Sequence, residues 1–473
     1  MIYLAFDDTD SRKGMCTTAL ALPIIKEIER KTGYLLADYP HLVRLNPNIP
    51  WKTRGNGAVS LVFRPPPKPV AVSLSKGILF AESKENGIKK RKRCYPFEEE
   101  GKSLNEKHYI IKKLGKILKE IIHNNSELAE KDTHPGFAIF SRRPPEKYYR
   151  WALHKLVKKE DFEKEINKDC EMGLVLEPFL FDGFKKERGI VGSIASASWN
   201  WKNGAYTFEI LAYRTEEMLG KKRKIRKEGV KKLSLLFPTT FNNYDRENDY
   251  CAVIPNSSCP VLYGIRGTDP VELFRASDFL DRFVEEPIQA KVLFRTNQGT
   301  DEHIKRASVK EITPYGSFRV KGRVCSQLRE IKGGHIFFEI QDGDKTLTCA
   351  AFEPTKGFRH IVRKLEVGDV VECWGGVHQE PFTLNLEKIA IYKLVKKKEK
   401  VANPLCQKCG RRMKSAGRGM GYRCRMCGTK KGEDEAQFRI KEREISQGIY
   451  QVPVIARRHL AKPLSLEGSF GTW

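Results

Sequence analysis

The chain opens on an unbroken apolar run, Ile2-Tyr3-Leu4-Ala5-Phe6, that breaks abruptly into Asp7-Asp8-Thr9-Asp10. A short run without polar alternation predicts a strand covered on both faces. After the polar segment 11–16, ALALPIIKEIERKTG repeats its apolar positions at helical spacing. This predicts a helix starting near Thr17, capped by Thr17 or Thr18. VSLVF and FAIF read as further buried strands. Between residues 170 and 300, CEMGLVLEPFLF, GIVGSIASAS and YTFEILAYR read as strands or strand edges, and TEEMLGKKRKIRKEGVKKLSLLF as a basic helix. That alternation fits an α+β module of ferredoxin-like type. From about 315 to 395, SFRVKGRVCS, GGHIFFEIQDGD, KTLTCAAFEP, GDVVECWGGV and TLNLEKIAIYKL read as five strands with glycine-rich turns, which suggests an OB-fold β-barrel.

A chain of 473 residues is too long for one core, and 40% hydrophobic with 31% charged residues is a globular composition. No apolar run reaches the roughly 18 residues of a membrane span. The first residues turn acidic too early for a signal peptide. A cytoplasmic protein is expected. Charge narrows the choice of partner. Lys and Arg number 86 against 59 Asp and Glu, a formal net charge of +27. The excess is spread over the chain, with runs at Lys89–Arg93, Lys221–Lys227 and Lys396–Lys400, as suits a long polyanion. Four of twelve cysteines form close pairs. The other eight (Cys16, Cys94, Cys170, Cys251, Cys259, Cys325, Cys349, Cys373) are scattered, as expected of reduced thiols.

Cys406 and Cys409, then Cys424 and Cys427, have the spacing of two zinc knuckles, each followed by a glycine. Four thiolates complete a tetrahedron that suits Zn²⁺, and a four-cysteine site is closed and structural. The loop between the pairs is basic and glycine-rich. Arg411, Arg412, Lys414, Arg418 and Arg423 are candidates for a phosphate backbone. In the barrel, Phe337, Phe338, Phe352 and Trp374 are candidates to stack bases. Barrel plus ribbon in so basic a chain points to RNA.

The acidic loop carries the chemistry. Asp7, Asp8 and Asp10 repel one another unless a cation joins them, and Mg²⁺ is held by carboxylates together with phosphates. A helix start offers free N–H groups to those phosphates, and Thr18 offers a hydroxyl there. A second cluster, RLNPNIPWKTRGNGA, combines Lys52 and Arg54 with Gly55, Asn56 and Gly57. The glycines would let the backbone approach a ligand. Thr133-His134-Pro135-Gly136 makes a turn before FAIF. In the middle module Gly189 and Gly192 border a turn where a small ligand would fit. Arg214 follows a strand, and Glu209 and Asp245 are candidate carboxylates for a cation.

Together, FDDTDSRKGMCTT, RLNPNIPWKTRGNGA, THPG, GIVGSIASAS, the barrel, the C-x2-C ribbon and the tail YQVPVIARRHLAKPL resemble the archaeal tRNA(Ile)-agmatidine synthetase family over nearly the whole chain. The resemblance implies a multidomain α+β protein: an ATP-using kinase-like α/β domain (1–165), a ferredoxin-like domain holding agmatine (166–305), an OB-fold (306–398), and a zinc ribbon with a basic tail (399–473). It implies a ligase that attaches agmatine to the wobble cytidine of the CAU-anticodon tRNA(Ile), releasing AMP and phosphate. It further implies Asp7, Asp8, Asp10 and Thr18 in catalysis. Lys13, Gly14, Thr17, Lys52, Arg54, Gly55, Asn56, Gly57 and His134 would hold ATP, and Gly189, Gly192, Glu209 and Arg214 agmatine. Phe338, Trp374, Arg411, Arg412, Lys414 and Arg418 would hold tRNA. ATP, Mg²⁺ and structural Zn²⁺ are the expected cofactors, with no protein partner evident. A rival reading is a single-stranded nucleic-acid-binding factor with a regulatory ATPase domain, which leaves the acidic loop unexplained.

Overall fold

The computed structural model describes residues 1–52, 55–66 and 104–467. Arg54, Cys94 and the run Lys89–Arg93 lie outside the described residues. The strand Ile2–Asp7 forms as expected, inside a ten-stranded sheet. It pairs antiparallel with Gly57–Arg64 on one side and Gly136–Phe140 on the other, and Asp7 stands opposite Gly136 at the end of the ladder. Helices Ala21–Thr32 and Leu104–Asn125 cover one face. Helices Lys147–His154, Lys159–Glu171 and Gly189–Ser198 cover the other. Burial on both faces is why the strand shows no polar alternation.

The sheet runs on into the second module. His41–Arg44 pairs parallel with Ile288–Thr296, and Thr207–Arg214 and Val261–Gly267 extend the sheet antiparallel. Helices Lys227–Leu236 and Pro270–Asp281 pack on this half. The expected domain borders fall inside elements: 165/166 in helix Lys159–Glu171, 305/306 in strand Lys305–Arg306, and 398/399 in strand Lys397–Ala402.

Four local expectations need correction. GIVGSIASAS is a helix, Gly189–Ser198, with every residue except Val191 buried. A helix buried all round has no polar stripe, so its period is hidden. Its serine hydroxyls bond its own carbonyls (Ser193 to Ile190 at 2.8 Å, Ser198 to Ile194 at 2.7 Å), so they enter the core satisfied. In CEMGLVLEPFLF, Cys170 and Glu171 end a helix, and the strand begins only at Phe179. The basic helix is confined to Lys227–Leu236, since Gly220 takes a left-handed φ of 73° upstream. The first helix begins with a single 3-10 turn, Thr17–Leu20, preceded by Cys16 with no side-chain cap.

The barrel closes as expected from Ser317–Val324, His335–Asp342, Lys345–Ala351, Val370–His378 and Thr383–Lys393. Inward and outward residues alternate. Ile336, Phe338 and Ile340 fill the core, and Phe338, at 1% exposure, cannot stack on a base. After the ribbon, Gly448–Gln451 adds an edge strand to the barrel. The following tail returns to the first two modules. Among the described residues no helix is long and apolar enough to cross a membrane.

Candidate active site

The acidic loop hangs from the end of its strand. Asp8 takes a left-handed φ of 56°, a conformation that non-glycine residues hold only when their surroundings impose it. The surroundings are explicit. Arg188 grips the Asp8 carboxylate with both Nε (2.8 Å) and Nη2 (3.2 Å), and also donates to Asp132 O at 2.7 Å. The His134 backbone N–H donates to the same carboxylate. Thr133 Oγ1 donates to Asp10 O at 3.0 Å, tying the far side of the loop.

Asp7 meets the helix Gly189–Ser198 almost without clearance. A Cβ at Gly192 would lie 1.7 Å from Asp7 Oδ2, and one at Gly189 would lie 2.4 Å from Asp7 O. A Cβ at Gly136 would lie 2.2 Å from Ile190 N. These three glycines therefore let the start of a helix close against the acidic loop. Burial, reinforced by the neighbouring carboxylates, pushes Asp7 well above the usual carboxylate range. Burial also raises Asp8 to about 7, against the opposing pull of Arg188. Crowded, desolvated carboxylates of this kind are stabilised by positive charge; at Asp8 that charge is Arg188, and among the described residues only the ribbon cysteines already stand close enough together to hold a metal. Thr18 is buried on the adjoining 3-10 turn, its Oγ1 3.1 Å from Cys16 Sγ.

Asp7, Asp8, Asp10, Thr17 and Thr18 all line one cavity of about 460 Å³. Lys52, Gly55, Asn56, Gly57, Gly192 and Glu209 line it too. Several candidates point elsewhere. Lys13 is exposed and paired with Glu130 at 2.5 Å, and a Cβ at Gly14 would lie 3.4 Å from Glu127 Oε1. His134 acts through its backbone, while its Nδ1 accepts from Lys186 N at 3.4 Å. Arg214 is sealed in a buried pair with Glu286 (2.7 Å), so its guanidinium is unavailable to a ligand. Asp245 is occupied by Asn248 and by the backbone N–H of Ile455 (3.0 Å). The room beside Gly55 and Gly57 is filled by protein: a Cβ there would lie 2.7 and 2.8 Å from Arg44 Nη1. Glu209 is engaged by Arg266 at 2.9 Å and by Gln298 at 2.6 Å.

The cavity also holds groups that the sequence did not single out: Arg44, Arg188, Arg266 and His459. Arg188 had one available signal, a lone arginine directly before the glycine-rich segment. Arg44, Arg266 and His459 converge from distant parts of the chain, and His459 arrives on the tail beyond the ribbon.

In the ribbon, the sulfurs of Cys406, Cys409, Cys424 and Cys427 lie within 4.8 Å of one another. Gly410 N donates to Cys406 O at 2.8 Å and Gly428 N to Cys424 O at 3.0 Å, with both glycines at positive φ (63° and 73°). The donor set is that of a structural zinc. The other described cysteines form no disulfide. On the outer face of the barrel, Trp374 is partly buried between Arg319 (5.7 Å) and Lys388 (4.9 Å). Arg329 lies 5.5 Å over the outward-facing Phe337.

A two-module body around a cavity lined by both acidic and basic side chains, followed by a nucleic-acid-type barrel and a zinc ribbon, defines a multidomain enzyme that works on RNA. The family models described as the TiaS TCKD and FLD domains match residues 3–173 and 187–303. Those for an OB-fold nucleic acid binding domain and the TiaS C-terminal zinc ribbon match 318–391 and 403–445. The chain is 37% identical over 468 residues to the tRNA(Ile2) 2-agmatinylcytidine synthetase TiaS of Archaeoglobus fulgidus, covering 98% of this chain and 97% of the relative. It is 35% identical over 474 residues to that of Methanocaldococcus jannaschii, covering 98% and 99%. The chain belongs to the TiaS family. Its fold matches the crystal structure of a TiaS–tRNA(Ile2)–ATP complex with a TM-score of 0.77 and 35% identity, covering 98% of this chain and 96% of that one. It matches a TiaS–tRNA(Ile2)–AMPCPP–agmatine complex with a TM-score of 0.74 and 32% identity, at the same coverages.

Proposed function

We propose that this chain conjugates agmatine to C2 of the wobble cytidine in the CAU-anticodon tRNA(Ile), as a ligase consuming ATP to AMP and phosphate. The carrying observation is the shared cavity, in which the acidic loop, Thr18 and the wall from the second module face one space. Full-length similarity to relatives solved with tRNA(Ile2), ATP and agmatine supports the same reading.

The chemistry needs a leaving group at C2. Transfer of one phosphoryl group from ATP to the cytosine O2 would make one, and a second phosphoryl group, passed through Thr18 to water, would leave AMP and a second phosphate. The amine of agmatine then forms the N–C2 bond, the C2–O bond breaks, and phosphate leaves with its electron pair. Asp7, Asp8 and Asp10 would hold Mg²⁺, which supplies charge neutralisation on the nucleotide phosphates. Arg188 fixes Asp8 in the conformation that aims it at the cavity. Thr18, buried at the same wall, would receive a phosphoryl group. The barrel and the basic loop of the ribbon would grip the tRNA, leaving the wobble base free to leave its stack and enter the cavity. The rival reading, a binding factor with a regulatory ATPase, gives Gly192 and Thr18 no task.

The test is incubation of the protein with radiolabelled agmatine, ATP, Mg²⁺ and a tRNA(Ile) transcript bearing CAU. Label that depends on ATP and on the wobble cytidine is expected. Tight tRNA binding without label would refute the proposal.

A further inference from the structure

The cavity is electrically polarised. One wall carries the three loop aspartates. Another is formed by Arg44 from one strand, Arg266 from a strand of the second module, and His459 from the tail. Asp10 of the acidic loop acts on Arg44 from across the cavity, but among the described residues no carboxylate pairs with Arg44 at close range. The wall's own carboxylate, Glu209, lies 2.9 Å from Arg266 but 3.9 Å from Arg44. Arg44 Nε is buried and has no acceptor among the described residues. Lys52 stands close enough to add to the excess, depressing His459 together with Arg44 and Arg266. Burial, reinforced by these cations, holds the His459 imidazole far below its ordinary range and therefore neutral. Agmatine carries two positive charges, so this wall repels it. A phosphate oxygen would compensate the wall, accepting from guanidinium and imidazole N–H groups.

We propose that Arg44, Arg266 and His459 form a phosphate-oxygen subsite of the reaction cavity, completed only when the C-terminal tail is in place. The proposal rests on the reading of this cavity as the reaction site. The tail is held firmly enough for the task. His459 O accepts from Gly299 N at 2.9 Å, Asp301 N donates to Leu460 O at 2.9 Å, and Lys462 N donates to Asp301 Oδ1 at 2.6 Å. Arg458 Nη1 reaches Asn48 Oδ1 at 2.5 Å and Glu387 at 3.3 Å. The His459 ring lies against Gly55, where a Cβ would come within 2.9 Å of it. The phosphate has two sources, the nucleotide triphosphate or the phosphodiester of the incoming tRNA.

Full-length protein and its Arg44→Gln, Arg44→Lys and His459→Asn variants would be compared in three assays. These are binding of Mg²⁺ with a non-hydrolysable ATP analogue, binding of the tRNA transcript over a salt series, and the KM for agmatine. Arg44→Gln and His459→Asn should each weaken one anionic ligand by about ten- to a hundred-fold, with Arg44→Lys partly restored. Loss confined to the nucleotide assigns the subsite to the triphosphate. Loss confined to tRNA, with a shallower salt slope, assigns it to the phosphodiester. If Arg44→Gln fails to fold, His459→Asn carries the test. Unchanged affinity for both anions, or a loss confined to agmatine, overturns the proposal. Because wild-type label incorporation is measured separately, an inactive wild type whose anion binding still responds would sink the functional reading and leave the subsite standing.

Discussion

The ribbon and the large cavity of the body are opposite solutions to building a site. The ribbon gathers four sulfurs from 22 consecutive residues, Cys406 to Cys427, on two glycine-closed knuckles. Its geometry is local, and metal binding is its folding energy. The cavity gathers Asp7, Arg44, Gly192, Glu209, Arg266 and His459 from nearly the whole chain, and packing holds it together. The contrast teaches that a local site withstands distant change and fails with its metal, whereas a dispersed site fails when any packing contact is disturbed.

The sharpest way to break this contrast is Asp8→Ala. It removes a candidate metal ligand and strands Arg188, so agmatidine formation should fall on the order of a thousand-fold or more, while zinc content stays unchanged by metal analysis. Thr18→Ala should also abolish product without loosening tRNA binding. Cys424→Ser, or zinc chelation, should act in reverse. Filter binding should show tRNA affinity falling roughly a hundred-fold, with nucleotide binding by the body intact. Gly192→Ala adds a single methyl to the cavity wall. It places a methyl in the space of the Asp7 carboxylate, and kcat should drop about ten- to a hundred-fold as the loop is displaced. Phe338→Ala should cost the barrel about 3–5 kcal/mol in denaturant titration, whereas Trp374→Ala should spare stability and weaken tRNA binding. The smallest effect concerns Lys52, whose ammonium burial and the nearby Arg458 bring down to about 8. It is charged below that pH and loses its proton above it. Nucleotide affinity should therefore decline about three-fold between pH 7 and 9, and Lys52→Arg should flatten the profile.

The same contrast explains what the sequence made legible. The ribbon, the barrel strands and the acidic loop were readable because their signals lie within a few residues. The inward phase of Phe338 was missed: it was expected to stack on a base, although it shares its period with the core residues Ile336 and Ile340. The helix Gly189–Ser198 was not readable, because burial on every side erased the alternation that marks helices. Gly55 and Gly57 signalled close approach but not what approaches, which proved to be Arg44 and, at Gly55, His459 as well. Arg214 looked like a ligand residue because a buried salt bridge leaves no local trace.

The pairing of His41 and Leu42 with Arg295 and Thr296 bears on how such a protein can be cut or recombined. Partners some 250 positions apart make this a slow, high-contact-order closure. A fragment ending between the two modules would present His41–Arg44 as a bare strand edge, open to pairing with another copy. Gene fusion or splitting at that border would then yield aggregates in place of two working halves, so lineages that inherit the first module must inherit the second with it.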